Sequence, residues 1–486
     1  MLKTGEEAFG RAPGRSIVLK LSLAKARYRR GMLIHASPDR FYSASRLGAL
    51  SFKARLGLLF GIVAPVLSGL IFPTYVAVLP SLAMNRAMLL ELQFVACELL
   101  VIGWAFRAGM DRNRLWRSLA LDVRLAVLVL LAAMFASAAL ISKYPADALL
   151  QSLTQLVHLY FAAAVFHLST AERDVSEDVL IRPLAAGLAV LAIYTAWRFG
   201  FPPDPSAVPG GKIEWSFALP GFISVRYLGT WTGAIAAALA VHLLYRERRG
   251  GIGAYHCYFV LAMAMTIWSG TRAGLLGIGA AVVLFLFFRG LPRWRAIALT
   301  VLLTGVALAL ALIFQFDDPA FKLFSRGGGG DVVGAGFTSG RWELWVATVE
   351  RWRDSPLLGW GTGALFYEVY LGWTHTQPHN AILQFLFSWG LVGAAACSWL
   401  FARALPAAHA VAMMNRSTWP LLGMVYALLA MSMVDGALYY PRFVIMIVGG
   451  LALILARGTT QEDETSPARD QAFSPPAPPA PSARVR

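Results

Sequence analysis

The sequence predicts an all-α fold: a polytopic transmembrane helix bundle of about 12 spans, with one long periplasmic loop that contains an amphipathic helix. Three observations carry that prediction. Hydrophobic residues make up 57% of the 486 residues and charged residues only 14%, too little charge to cover the two or three soluble domains expected of a chain this long. Apolar stretches recur from Leu56 to Ala456, each near the roughly 20 residues a helix needs to cross a bilayer. The basic residues behind the net charge of +16 fall in clusters between those stretches, as positive charge does in loops kept on the cytoplasmic side. In a soluble protein such a charge would suggest nucleic acid. Here topology explains it, and membrane lipids rather than nucleic acid are the expected surroundings.

The elements follow in chain order. Residues 1–55 form a basic cytoplasmic arm, dense in Lys and Arg against the acids Glu6, Glu7 and Asp39. The run from Ser16 to His35 suits a basic helix on anionic lipid or a disordered arm. The first thirty residues have no uninterrupted apolar core, so no cleavable signal peptide is expected. The bundle, residues 56–457, reads as spans at 56–79, 87–106, 119–141, 149–168, 182–199, 226–245, 254–271, 273–289, 296–314, 381–402, 418–436 and 442–457. Alternate connections carry Arg107, Arg112, Arg114 and Arg117, then Arg246, Arg248 and Arg249, then Arg289, Arg293 and Arg295. The connections around Pro80, Pro145 and Pro203 are poor in Lys and Arg. The positive-inside rule then puts both termini in the cytoplasm. The segment 458–486 is a Pro/Ala/Ser-rich cytoplasmic tail with Glu462, Asp463 and Glu464, a composition that buries no core and predicts disorder.

The loop 315–380 departs from the short connections elsewhere, and long loops in compact folds usually carry function. It opens on the run Gly327 to Gly330. A helix follows from Arg341 to Asp354, with Trp342, Trp345, Val346, Val349 and Trp352 at helical spacing, stopped by Pro356. Its apolar face is expected to lie on the bilayer surface or against the other helices.

Four polar residues fall on the outer side of this topology, each at or near a helix N-terminus. Arg226 stands where the sixth span begins. Arg272 lies in Trp268-Ser-Gly-Thr-Arg-Ala-Gly274, at the tight turn into the eighth. Arg341 opens the loop helix, and His379 lies in Gln377-Pro-His-Asn-Ala381, just before the tenth span. A helix N-terminus presents free N–H groups and about half a positive charge, so an arginine there opposes the dipole unless an anion sits between them. Several arginine forks together suit a diphosphate better than a lone carboxylate. For Arg226 and Arg272 the bland reading is snorkelling to lipid phosphate, and for His379 it is a capping or packing role. His375 invites a metal pair with His379, but Pro378 between them disfavours the helix that would align the two, and no metal or other cofactor is expected.

Two other sets of residues need weighing. Cys97, Cys257 and Cys397 each sit alone in an apolar span and read as small core hydrophobes. Glu91 and Glu98, seven residues apart in the second span, are costly there and offer the best case for a transporter. Their bland reading is hydrogen bonding inside the bundle.

The motifs also have a family resemblance. Trp268-Ser-Gly-Thr-Arg-Ala-Gly-Leu-Leu276 leads into an apolar span. Gly340-Arg-Trp-Glu-Leu-Trp345 precedes Asp354-Ser-Pro-Leu-Leu-Gly-Trp-Gly361. Pro378-His-Asn-Ala-Ile-Leu-Gln-Phe-Leu386 leads into Trp389-Gly-Leu-Val-Gly393. In order and spacing this set resembles the bacterial O-antigen ligase and polymerase superfamily, over about 226–401. The resemblance implies a multi-pass bacterial inner membrane protein that carries out metal-independent glycosyl transfer at the periplasmic face. Its donor would be a glycan on undecaprenyl diphosphate, and its acceptor a hydroxyl of lipid A–core or of a growing glycan. By motif match Arg272 and Arg341 would grip the diphosphate, with Arg226 in support, and His379 would be the general base. The alternative function is a multi-span transporter of a small anion or a lipid-linked glycan. The basic arm and Pro-rich tail depart from the superfamily's usual pattern.

Overall fold

The structure is a computed structural model that describes residues 50–68, 91–172, 175–201, 225–247, 252–316, 321, 341–369 and 377–458. The expectations for the basic arm up to residue 49, the second half of the first span, the Gly327–Gly330 run, His375 and the tail beyond 458 lie outside the described residues. Among the described residues there are helices, turns and loops and no β-strand. In chain order the principal helices are α1 (Phe52–Leu58, continued by a wide turn Leu59–Val63), α2 (Leu92–Arg107), α3 (Leu121–Ala136, continued by Ser137–Ile141), α4 (Pro145–Ala171) and α5 (Asp178–Gly200). Next come α6 (Val225–Tyr245), α7 (Ala254–Trp268), α8 (Arg272–Arg289) and α9 (Trp294–Ile313). The loop helix α10 (Arg341–Trp352), α11 (Ala381–Met414), α12 (Trp419–Ser432) and α13 (Pro441–Gly458) complete the set.

Eight of these, α3 to α6, α8, α9, α11 and α13, are long and apolar enough to cross a membrane, and the chain is a multi-pass membrane protein. The count rises to nine if α2 and the short helix Arg112–Ser118, bent 95° from it, form one broken span. Among the described residues, α7 and α12 fall short of a full crossing for a physical reason. Hydropathy runs on through turns where the backbone has left the helix, as at Ser269–Thr271 after α7 and Met433–Gly436 after α12. What remains is 15 residues in α7 and 14 in α12, a rise of about 21–23 Å against the roughly 30 Å of a hydrocarbon core.

The centre of the bundle is α6, which is buried along nearly its whole length. It packs against α7, α8 and α12. Its small residues permit this. A Cβ on Gly229 would stand 2.1 Å from Ser269 Oγ and from Thr271 Oγ1, and one on Gly274 would stand 2.9 Å from the Gly229 carbonyl. Helix association in lipid favours such close backbone approach. Around this centre α13 packs on α4, α11 on α3 and α1 on α5.

Buried charges are paired. Glu98 accepts from His158 Nδ1 at 2.8 Å, both side chains almost fully buried. Glu91 stands at the N-cap of α2, with φ of 38°, rather than inside a span. It holds Arg442 through the backbone N–H (2.9 Å) and the guanidinium. Both carboxylates therefore take the hydrogen-bonded reading. Near the other end of the bundle, Glu177 binds Lys53 (3.2 Å), Arg457 and Ser417, joining α1, α5, α12 and α13. One cysteine departs from expectation: Cys97 and Cys397 are buried, whereas Cys257 is exposed.

Helix α11 is broken at Gly390, where φ is 60° and ψ −166°. The segment Pro356–Gly361 docks into the break. Trp360 N donates to Phe387 O (2.8 Å), Gly361 N to Ser388 O (3.0 Å) and Leu391 N to Pro356 O (2.8 Å). Ser137 Oγ from α3 adds a bond to Ser388 O at 2.9 Å. Backbone groups freed by a break inside a membrane protein must be satisfied by protein, and here the loop does so. Contact is tight enough to need glycine on both sides: a Cβ on Gly390 would fall 2.2 Å from Leu357 C, and Gly359, at φ 68°, is 2.6 Å from Gly390 N on the same measure.

Candidate functional site

The loop helix α10 lies on α11, not as a free amphipathic rod. Its buried face is Leu344, Ala347 and Thr348, in one cluster with Ala364, Phe366 and Phe387. Trp342 (62% exposed) and Val346 point away, so the packed face is turned from the Trp-rich stripe read in the sequence. The remaining tryptophans fix ends. Trp345 Nε1 donates to the Pro378 carbonyl (2.9 Å), and Trp352 Nε1 to the Pro356 carbonyl (3.1 Å).

Each residue of Pro378-His379-Asn380 has a distinct task. The Pro378 carbonyl receives α10. Asn380 is the N-cap of α11, its Oδ1 accepting from Ile382 N (3.0 Å) and Leu383 N (3.1 Å), while its Nδ2 donates to Met433 O at 3.0 Å. Between them His379 takes a left-handed backbone, φ 52°, a conformation uncommon outside glycine and enriched at functional sites. That turn brings His379 Nδ1 to 3.1 Å from Asp435 Oδ1. The residue before, Gln377, is buried and donates from Nε2 to the hydroxyls of Tyr227 (3.0 Å) and Tyr440 (3.1 Å). Tyr227 follows Arg226 on α6, so the His379 loop and the Arg226 turn share one buried bracket.

The arginines converge on the same end. Thr271 Oγ1 donates to the Arg226 carbonyl at 3.2 Å, setting Arg226 and Arg272 side by side at the starts of α6 and α8. Both side chains are exposed and that of Arg341 is half-buried. Arg341 feels the charges of Arg226, Arg272 and Asp435. Its pKa is lowered, first by burial and then by the other two arginines, with Asp435 opposing; an arginine still keeps its charge. The structure thus gathers all four residues singled out in the sequence at one end of the bundle: three guanidiniums, an imidazole and, in addition, Asp435.

Asp435 falls inside the expected eleventh span, whereas the backbone leaves α12 at Ser432. The rule that drew attention to Glu91 and Glu98, an acid in an apolar run, would have found it. Burial alone would raise its pKa. The hydrogen bond and charge of His379, the charge of Arg341 and its own Gly436 N–H outweigh burial and hold it below the usual carboxylate range. Among the described residues no group of His, Cys, Asp and Glu is arranged to hold a metal ion.

Residues 257–397 match the family model described as O-Antigen ligase. The matched stretch contains Arg272, Arg341 and His379 and stops short of Arg226 and Asp435. No curated protein matches the chain.

Proposed function

Taking as premise that the chain belongs to the O-antigen ligase family through its domain at residues 257–397, a family of ligase- and polymerase-type glycosyl transfer, we propose that it moves a glycan from undecaprenyl diphosphate to an acceptor hydroxyl at the periplasmic face of the inner membrane. The acceptor is lipid A–core for a ligase or a growing glycan for a polymerase. Twelve crossings with both termini in the cytoplasm is the topology that goes with this reading. The observation that carries it is the meeting of Arg226, Arg272 and Arg341 with the His379–Asp435 pair.

Arg272 and Arg341 bind the donor diphosphate, with Arg226 in support, and stabilise the charge that builds as it leaves. Asp435 accepts a hydrogen bond from His379 Nδ1–H, which leaves Nε2 as the basic nitrogen facing the acceptor. His379 takes the proton of the acceptor hydroxyl. The oxygen bonds to the anomeric carbon, the carbon–phosphate oxygen bond breaks, and the diphosphate departs with the electron pair. Three guanidiniums supply the positive charge for which a divalent ion would otherwise be recruited, so a chelator is expected to leave the rate unchanged.

The test is transfer by the purified protein in liposomes with a lipid-linked glycan donor and an acceptor. His379→Ala should lower the rate by about 10²- to 10⁴-fold, the usual worth of a general base, and Arg341→Ala comparably through the leaving group. Wild-type rates in both variants would sink the reading. Loss of function in Glu98→Gln, with both of those variants active, would favour transport instead.

A further inference from the structure

A polar cleft lies between the turn from α3 into α4 and the segment 360–369. Lys143, Tyr144, Asp147 and Gln151 line one side of it, Trp360 and Glu368 the other. It belongs to the same end of the bundle as the candidate site. Tyr439 Oη donates to the Ala364 carbonyl at 2.9 Å, and Tyr439 comes four residues after Asp435, at most about 14 Å along the chain. The residue that calls for an explanation is Gln151. Its side chain is 7% exposed, yet among the described residues its amide makes no hydrogen bond and opens onto the cleft. Buried polar groups without a partner are a small minority, and each costs free energy. The surroundings are fixed. Gly363, at φ 73°, lies so close that a Cβ there would stand 2.8 Å from Gln151 Cγ. The Trp360 indole donates to the Arg351 carbonyl at 3.0 Å, and the Arg351 guanidinium sits 4.5 Å from its ring.

We infer that this cleft binds a sugar residue of the glycan substrate, at a distance from the bond being made; this rests on the glycosyl-transfer reading above. Sugar hydroxyls both donate and accept. The Gln151 amide offers both functions and the carboxylates of Asp147 and Glu368 accept, while aromatic rings such as Tyr144 and Trp360 take the apolar C–H face of a pyranose. Other occupants fit worse. An anionic head group would meet two carboxylates against one lysine, and an apolar chain would leave the amide idle. The sugar could belong to the donor or to the acceptor, since both reach His379.

Equilibrium dialysis of the full chain in detergent tests this with two probes. One is the oligosaccharide released by mild acid from the cell's lipid-linked donor, the other the core oligosaccharide released from its lipid A. At least one should bind wild type. Gln151→Leu should weaken that binding about tenfold, the loss expected of hydrogen bonds to hydroxyls. Its unfolding temperature should stay the same or rise, because an apolar group of similar size replaces an idle amide. Tyr144→Ala, at a position 41% exposed where folding is little disturbed, should weaken binding too. In the transfer assay both variants should raise the KM for one partner with kcat kept, and the partner affected identifies the source of the sugar. A partner trimmed to its reacting sugar should be used at the wild-type rate. Binding of neither oligosaccharide, or unchanged binding in both variants, overturns the proposal. Dialysis needs no turnover, so binding lost in Gln151→Leu by a chain that transfers no sugar would keep the cleft and remove the glycosyl-transfer reading; transfer with unaltered binding in the variants would do the reverse.

Discussion

The pair His379 and Asp435 shows how far single residues carry the chemistry. With Asp435 buried and its pKa depressed, its contribution to the folded state is complete above the ordinary carboxylate pKa of about 3.9 and is lost as pH falls through the lower folded value. The stability difference between wild type and Asp435→Asn should therefore be full at pH 5–8 and shrink only below about pH 4, as thermal unfolding in detergent would read. At neutral pH Asp435→Asn should also cost on the order of a hundredfold in transfer rate, because an amide nitrogen turned to His379 would favour the wrong tautomer. Arg272→Lys keeps the charge and loses the fork; it should raise the KM for donor more than it lowers kcat. The motif residues were legible one by one because an arginine in a helix's first turn is an oddity that sequence displays. Asp435 shows in the sequence only as an acid in an apolar run; its pairing with His379 does not, since the two lie 56 positions apart.

At the scale of elements, glycines place the functional ends. Thr271 and Gly229 bring α6 and α8 close enough to set two arginines side by side. Gly229→Val should separate them and lower activity while the detergent-solubilised protein stays folded, seen as lost turnover with an unchanged gel-filtration profile. The docking of Pro356–Gly361 into α11 is stricter. Gly390→Ala meets both the cost, about 1–3 kcal/mol, of a backbone region essentially restricted to glycine and a Cβ placed 2.2 Å from Leu357 C. It should destabilise by more than about 2 kcal/mol, visible as a lowered unfolding temperature. Helix positions followed from hydropathy, and Pro356 marks the stop of α10, although α4 already begins at Pro145 within an expected loop. The break at Gly390 did not, because it depends on a loop from 27 residues upstream whose N–H groups donate to the freed carbonyls of Phe387 and Ser388.

Across the described residues, the all-helical membrane fold was readable from charge and apolar periodicity, whereas the ends of α7 and α12 were not, since hydropathy does not register where a backbone turns. The choice between ligation and polymerisation is a question for the cell. In a deletion strain, loss of capped lipopolysaccharide with accumulated lipid-linked polymer is the outcome expected of a ligase, single accumulated repeats that of a polymerase, and an unaltered envelope would count against both. The seating of the loop in the broken helix also bears on turnover. Arg341 and His379 are fastened to the two sides of that seam, and prising it apart would strip several main-chain groups of their partners in surroundings with little water to replace them. If Arg341 and His379 act as proposed, they ride together as one rigid jaw, and it is the lipid-borne reactants, sliding in the plane of the bilayer, that must come and go.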